Sequence, residues 1–380
     1  MGRTDRSRAR GAPSSWHDAG SEPGVSTVQA HQVLLPLTDE RILIFGGTGS
    51  LGRALVRRLS ANNSLMLYSR DEAKHWTIRN QVGSTNMTYA VGDIRDGARV
   101  EEALLRFQPT IVVIAAALKQ VDVCEMTPFE SVQTNILGIK NVVDAVSRQV
   151  DRLPALETVL MVSTDKACAP ANVYGMCKAV AERLVTSQCL AFARPRFVGV
   201  RYGNVLDSRG SIIPLFRWQA EHKQSFTVTH PDMTRFLMTL DESIDLITAT
   251  AKGAASGEIW VPRLRSMRIL DLAQIFAARF ARPIDFIGMR PGEKLHEALI
   301  SEPESVRVSA DGDIFRMAPA HVTIASNAKI FGYESNDGLL TKDDLAIYLE
   351  GLGIFARSLD DFVGRQIEEI ATPASGRPST

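Results

Sequence analysis

The stretch Arg41-Ile42-Leu43-Ile44-Phe45-Gly46-Gly47-Thr48-Gly49-Ser50-Leu51-Gly52 decides the fold. A short apolar run stops at a glycine-rich turn, and a helical pattern follows over residues 50–61. A short, nearly all-apolar strand is what a sheet covered on both faces requires. Gly46, Gly49 and Gly52 give G-x-x-G-x-x-G between strand and helix. Such glycines permit a tight turn and let the backbone approach a pyrophosphate at the helix N-terminus. Gly46, Thr48, Gly49, Ser50, Leu51 and Gly52 are therefore candidate cofactor contacts, the competing reading being a tight turn and nothing more.

Outward from this stretch the same alternation continues. Strand patterns lie at residues 65–68, 87–91, 110–115, 157–162 and 197–202, and helical stretches at 71–82, 96–107, 128–150 and 173–193. Strands alternating with helices of this length imply right-handed crossovers and a parallel sheet. The fold class is α/β: a doubly wound dinucleotide-binding (Rossmann) sheet with a smaller C-terminal lid domain that binds substrate. The cofactor domain is expected over 39–203 with 232–262 returning to it, the substrate-binding domain over 204–231 and 263–350, and a tail over 351–380.

Residues 1–38 read as a disordered extension without assigned function: Met1–Arg10 is Arg-rich, Gly, Ser and Pro follow, and there is no apolar secretory segment. Asp5, Asp18 and Glu22 and the missing periodicity argue against an organellar transit peptide.

The 380 residues are 45% hydrophobic and 23% charged, which excludes whole-chain disorder and a disulfide-stapled miniprotein. Lys plus Arg equals Asp plus Glu, at 43 each, so no global basic field calls for nucleic acid. Apolar runs such as Ile111 to Leu118 fall far short of the roughly 20 residues of a membrane span. Cys124, Cys168, Cys177 and Cys189 have no C-x-x-C spacing and no neighbouring His cluster, so no metal site is expected; scattered thiols suit a reducing cytoplasm.

The second strand ends in Tyr68-Ser69-Arg70-Asp71-Glu72. An acid at that end would bond the ribose 2′-hydroxyl of NAD, whereas an Arg accommodates the 2′-phosphate of NADP. Ser69 and Arg70 come first and the acids fall into the next helix start, so NADP is favoured over NAD. After the third strand, Asp93 is read either as an acceptor for adenine, beside Ile94, or as a helix N-cap.

Tyr174 and Lys178 stand four residues apart on an expected helix, hence on one face. An ammonium near a phenol stabilises the phenolate and lowers its pKa, so the pair suits removal of a hydroxyl proton. Upstream, Val162-Ser163-Thr164-Asp165-Lys166-Ala167 ends the fifth strand, the edge where open parallel sheets bind ligands. Asp165 and Lys166 add an acid and a base that a simple dehydrogenase or 4-epimerase does not need.

These blocks, with Ala115-Ala116-Ala117-Leu118-Lys119, Arg201-Tyr202-Gly203-Asn204-Val205, Met233-Thr234-Arg235-Phe236 and Arg290-Pro291-Gly292-Glu293-Lys294-Leu295-His296-Glu297, resemble the extended short-chain dehydrogenase/reductases. More narrowly they are similar to the UDP-N-acetylglucosamine 4,6-dehydratases that invert C5 and make precursors of bacterial surface glycans, such as pseudaminic acid, capsule or O-antigen sugars. Lys166 together with Tyr174 favours that inverting branch. The chain departs from the family at Ile114, where His is usual and where the side chain is expected to line the cofactor.

The resemblance implies a lyase with tightly held, recycled NADP. Tyr174, helped by Lys178 and Thr164, takes the C4 hydroxyl proton as hydride leaves. A neutral Lys166 then removes the C5 proton, and a protonated Asp165 releases the C6 hydroxyl as water. It implies Ala115, Ala116 and Lys119 beside the cofactor, and Lys119, Asn135, Asn204, Arg209, Ser211, Arg235, Arg290 and Glu293 around a UDP-hexosamine. A cytoplasmic homo-oligomer is the default. Competing readings are a retaining dehydratase or UDP-sugar 4-epimerase, and a non-catalytic NADP-binding protein.

Overall fold

The structure is a computed structural model that describes residues 37–82, 85–206, 211–322 and 329–356. The expected N-terminal extension lies almost wholly outside the described residues, as do Arg209 and most of the expected C-terminal tail.

The first half winds as the periodicity requires: β1 (Arg41–Phe45), α1 (Ser50–Leu59), β2 (Ser64–Ser69), α2 (Glu72–Val82), β3 (Met87–Val91), α3 (Gly97–Phe107), β4 (Ile111–Ile114), α4 (Val121–Met126), α5 (Pro128–Val132), α6 (Gly138–Arg148), β5 (Thr158–Val162), α7 (Val173–Thr186) and β6 (Arg196–Val200). The remainder comprises α8 (Ile212–His222), β7 (Phe226–Val228), β8 (Thr234–Leu237), α9 (Leu240–Gly253), β9 (Ile259–Pro262), β10 (Arg265–Arg268), α10 (Ile269–Phe280), β11 (Ile284–Phe286), β12 (Ala298–Ile300), α11 (Glu302–Ser305), β13 (Val308–Asp311), β14 (Ile314–Met317), β15 (Tyr333–Glu334) and α12 (Lys342–Gly351).

One sheet runs β13-β14-β9-β6-β5-β4-β1-β2-β3. Its strands from β3 to β9 are parallel, and β14 and β13 add on antiparallel. The strand order reverses between β1 and β4, and the crevice beyond their carboxyl ends is the ligand position of such sheets. Strand residues alternate between two cores. Leu43, Phe45, Val159 and Met161 pack with Val142 of α6 and Val185 of α7, whereas Ile42, Ile44 and Leu160 pack with Leu55 of α1 and Ile247 of α9. Each fully buried aliphatic or aromatic side chain contributes about 1.5–3 kcal/mol, so both faces must be covered. A third cluster, around Phe216, Phe226, Phe276 and Leu345, lies among α8, β7, α10 and α12.

Two expectations need correction. The helix expected over 128–150 is interrupted by a π-helical turn at Gln133–Leu137. There Asn135 turns inward, and its amide bonds both the N–H and the carbonyl of Leu118. Such bulges re-aim side chains out of helical register. Ile114 does not line a ligand site: it is fully buried in the sheet core.

Among the described residues no helix is long and apolar enough to cross a membrane.

Candidate active site

A cleft of about 760 Å³ opens at the carboxyl edge of the sheet. Its walls come from the glycine loop, residues 115–126, the end of β5 with α7, residues 202–205 with Ser211, and the segments around Arg235 and Arg290–Glu297.

The glycine-loop wall is backbone. Gly46 has φ +86°, and a Cβ there would stand 2.7 Å from the Ala116 nitrogen. Only glycine lets the turn pass this close to the end of β4. Gly49 caps α1 with no side-chain hydrogen bond. The start of α1 thus borders the cleft with a glycine at its N-cap, which suits a pyrophosphate. Gly46, Gly49, Ser50, Leu51, Gly52, Ala115 and Lys119 all line the cleft.

Of the other expected cofactor residues, Ala116 packs on the sheet core just after β4, and Thr48, Ser69, Arg70, Asp93 and Ile94 sit around the ends of β2 and β3. Thr48 Oγ1 donates to Ser69 Oγ at 3.0 Å, and Ser69 Oγ meets His75 Nε2 at 2.6 Å. Arg70 stands 3.7 Å from Asp93, which also pairs with Arg95 at 2.8 Å. Asp93 is not the N-cap of α3: Asp96 holds that place, accepting from the Arg99 N–H. Asp71 is occupied by Lys74, both through the Lys74 N–H and through an ion pair of 2.6 Å. Ile94 is buried and packs with the sheet core.

The opposite wall is charged. Asn172 caps α7, accepting from the Gly175 N–H, and donates to the Gly292 carbonyl at 2.9 Å, which ties α7 to the 290–297 segment. Gly175 lets α7 lie directly on the Asp165–Ala167 turn, since a Cβ there would come within 2.1 Å of the Lys166 carbonyl. Tyr174 and Lys178 then face the cleft beside Thr164, Asp165 and Lys166.

Protonation differs from the sequence expectation in two ways. Tyr174 is not a lowered phenol. Burial pushes it up to about 12, against the Lys166 cation and a Thr164 hydrogen bond that pull it down. Lys178 gives its ammonium to the Val162 carbonyl at 2.6 Å, and burial draws it down to about 8. Nor is Lys166 neutral. Burial lowers its pKa, but Asp165 Oδ1 at 3.0 Å and Glu297 Oε1 at 3.4 Å more than offset this and hold it as ammonium. Two carboxylates against one amine decide the sign.

Other expected substrate residues divide. Asn204, Ser211, Arg235, Arg290 and Glu293 line the cleft. Arg235 is 8% exposed, bonds the Thr234 and Leu295 carbonyls and stands 4.0 Å from Glu297. Glu293 accepts from the Arg290 N–H at 2.9 Å, which folds that turn. Asn135 is a correction: it is fully buried, and Leu118 and Ser131 take its hydrogen bonds, so it shapes the loop before Lys119 instead of meeting a ligand.

Glu297 of the cleft and a buried charge clamp outside its lining were missed in the sequence. Glu297, within the Arg290 block, joins Lys166. Arg201, 1% exposed, is clamped between Glu182 and Glu304 with bonds of 2.6–2.9 Å and also donates to the Leu299 carbonyl at 3.0 Å. Glu182 in turn accepts from Ser163 at 2.6 Å. Only the oddity of a charge in an apolar strand signals this clamp. Around the cleft, Asp165 Oδ2, Asn204 Oδ1 and Glu297 Oε2 are buried without a hydrogen-bond partner. All three are acceptors, so a ligand offering hydroxyl or amide donors matches them.

Comparison with known proteins bears on the family and the fold. The profile of the polysaccharide biosynthesis protein family matches residues 42–319. A UDP-N-acetylglucosamine 4,6-dehydratase (inverting) of Campylobacter jejuni is 36% identical, over 70% of this chain and 79% of its own. A UDP-glucose 4-epimerase of Rickettsia bellii is also 36% identical, over 73% of this chain and 83% of its own. The crystal structure of Pen from Bacillus thuringiensis superposes with a TM-score of 0.76 at 33% identity, covering 83% of this chain and 99% of that one. The chain belongs to the polysaccharide biosynthesis protein family, on the fold of the extended short-chain dehydrogenase/reductases whose members include sugar-nucleotide dehydratases and epimerases.

Proposed function

We propose that this chain is a UDP-N-acetylglucosamine 4,6-dehydratase that inverts C5, with NADP held along the glycine-loop wall. One observation carries the reading: an ammonium bracketed by two carboxylates, Asp165–Lys166–Glu297, shares a cleft with Tyr174. A 4-epimerase only oxidises and re-reduces C4, and that centre would have nothing to act on. The likeness to the Campylobacter enzyme supports the dehydratase reading; the Rickettsia names keep epimerisation as the alternative to be tested.

The backbone cradle at Gly46 and the glycine at the start of α1 fit a dinucleotide, and Arg70 without an acid ahead of it on β2 favours the 2′-phosphate. A nicotinamide bound there supplies two-electron oxidation at C4 and returns the electrons at C6. Tyr174, bonded to Thr164, exchanges a proton with the C4 hydroxyl, and the Lys166 charge favours its phenolate. The C4 ketone acidifies the C5 proton. A proton shift from Lys166 Nζ to Asp165 Oδ1 across 3.0 Å leaves a neutral amine and a protonated acid. The amine takes the C5 proton and the acid releases the C6 hydroxyl as water. Arg235 and Arg290 suit the diphosphate, as guanidinium forks match phosphate oxygens.

The test is to incubate the purified protein with UDP-N-acetylglucosamine without added cofactor, following mass and NMR. Loss of one water with an inverted C5 is expected. A product of unchanged mass with an inverted C4 would establish the epimerase instead.

A further inference from the structure

We propose that Glu297 is a further acid/base residue of this reaction, the carrier that returns a proton to C5. The inference rests on the dehydratase reading and deepens it. Elimination with inversion needs three proton transfers: off C5, onto the departing hydroxyl, and back onto C5 from a different position. Lys166 and Asp165 supply the first two, and both sit on the turn after β5. Inversion requires that the third come from a group other than the base that removed the proton.

Glu297 meets that requirement. It enters from the segment before β12, is 2% exposed, and lines the cleft. One carboxylate oxygen, Oε1, lies 3.4 Å from Lys166 Nζ. The other, Oε2, is buried without a hydrogen-bond partner. Asp165 is arranged in the same way: Oδ1 accepts from Lys166 and from Thr164 at 2.8 Å, and Oδ2 is without a partner. Lys166 is thus flanked by two carboxylates from two distant segments of the chain, each with one oxygen toward the amine and one without a hydrogen bond. Arg235 and Lys294, each 4.0 Å from Glu297, hold its charge in place.

The protons balance. The reacting state has Tyr174 as phenolate, with its own proton already given to solvent, Lys166 as ammonium, and Asp165 and Glu297 as carboxylates. The shift from Lys166 to Asp165 gives amine and acid. The C5–H bond breaks, its proton forms an N–H bond on Lys166, and its electron pair forms the C5–C6 double bond as C6–O breaks. The departing hydroxide takes the proton of Asp165 as water. Lys166 then passes a proton to Glu297 Oε1. As the two electrons borrowed from C4 return to C6, Glu297 gives that proton to C5 and is again a carboxylate. The proton that Tyr174 took from the C4 hydroxyl restores Lys166.

The test uses Glu297→Gln, which keeps the shape and removes the acid. Expected is a fall in turnover of about 100-fold or more. On mixing with UDP-N-acetylglucosamine the reduced-nicotinamide absorbance should still form, and the residual product should keep the substrate configuration at C5. Glu297→Asp, which restores a carboxylate, should recover inverted product at a reduced rate. Inverted product from Glu297→Gln at near the wild-type rate overturns the inference. So does a Glu297→Gln protein with wild-type circular dichroism that no longer oxidises C4, since the residue would then only shape the site. If the wild type itself releases no water, the dehydratase reading fails and the inference with it, a result visible before any variant is made.

Discussion

The two walls of the cleft are built on different physics. The glycine-loop wall is local and made of backbone: a turn between β1 and α1 that presses on the end of β4, as at Gly46 against Ala116. The acid/base wall is assembled from residues far apart in the chain and made of charge: Asp165 and Lys166 from the end of β5, Tyr174 and Lys178 from α7, Arg235 from β8, and Glu297 before β12. Beneath it the Glu182–Arg201–Glu304 clamp joins α7, β6 and α11. A backbone wall is held in shape by sterics and needs few partners. A charged wall keeps its shape only while every buried charge has a counter-charge.

The strongest attack on that contrast is Arg201→Met. It leaves Glu182 buried without a counter-charge and Glu304 with only Arg307 at 3.5 Å, at a cost of about 3–5 kcal/mol, with α7 loosened against the Asp165 turn. Denaturant unfolding should show the loss. Acid should narrow it. Burial raises the Glu304 pKa, but hydrogen bonds and charge from Arg201 prevail and hold it at about 2, below its ordinary 4.5. A depressed carboxyl stabilises the fold above its unfolded pKa and loses that stabilisation as pH falls through its folded pKa. Wild type should therefore fall toward the variant between about pH 4.5 and 2. A gap constant over that range would remove the clamp from the account.

Next in size is Gly46→Ala. A side chain in the positive-φ region costs about 1–2 kcal/mol, and the clash with Ala116 adds about 1–3 if the turn cannot shift. The expected outcome is lost dinucleotide binding, read by fluorescence titration, with a lower melting temperature and no change in the acid limb. Unchanged cofactor affinity would show that the loop is not the cradle.

The sequence is legible where the physics is local. Four apolar residues before a glycine turn, and Tyr174 one helical turn before Lys178, need nothing beyond their neighbours in the chain to be read. It is opaque where distant charges decide. Tyr174 reads as a phenol tuned by Lys178, yet that ammonium is spent on the Val162 carbonyl, and the cation that acts on the phenol is Lys166. Lys166 reads as a neutral base, yet Asp165 and, from far along the chain, Glu297 hold it as ammonium before reaction. Asn135 reads as a ligand contact, but a π-helical turn swings it into the backbone of Leu118, and no hydrophobic period reports such a turn.

The smallest effect probes the edge of the backbone wall, where it too becomes charged. Arg70 is more than half exposed, and its pair with Asp93 at 3.7 Å is worth about 0–1 kcal/mol. Losing it should leave the melting temperature unchanged. A 2′-phosphate offers the guanidinium a bidentate, doubly charged partner that Asp93, already bonded to Arg95, does not match. Arg70→Ala should therefore weaken NADP by about tenfold or more, as the loss of a charge-assisted hydrogen bond does, and leave NAD unchanged. The NADP deficit should shrink in high salt, since the site is open to solvent. Parallel titrations of both dinucleotides at two ionic strengths measure this. If the two affinities fall together, Arg70 steers any dinucleotide to the cleft and selection lies with the Thr48–Ser69–His75 chain.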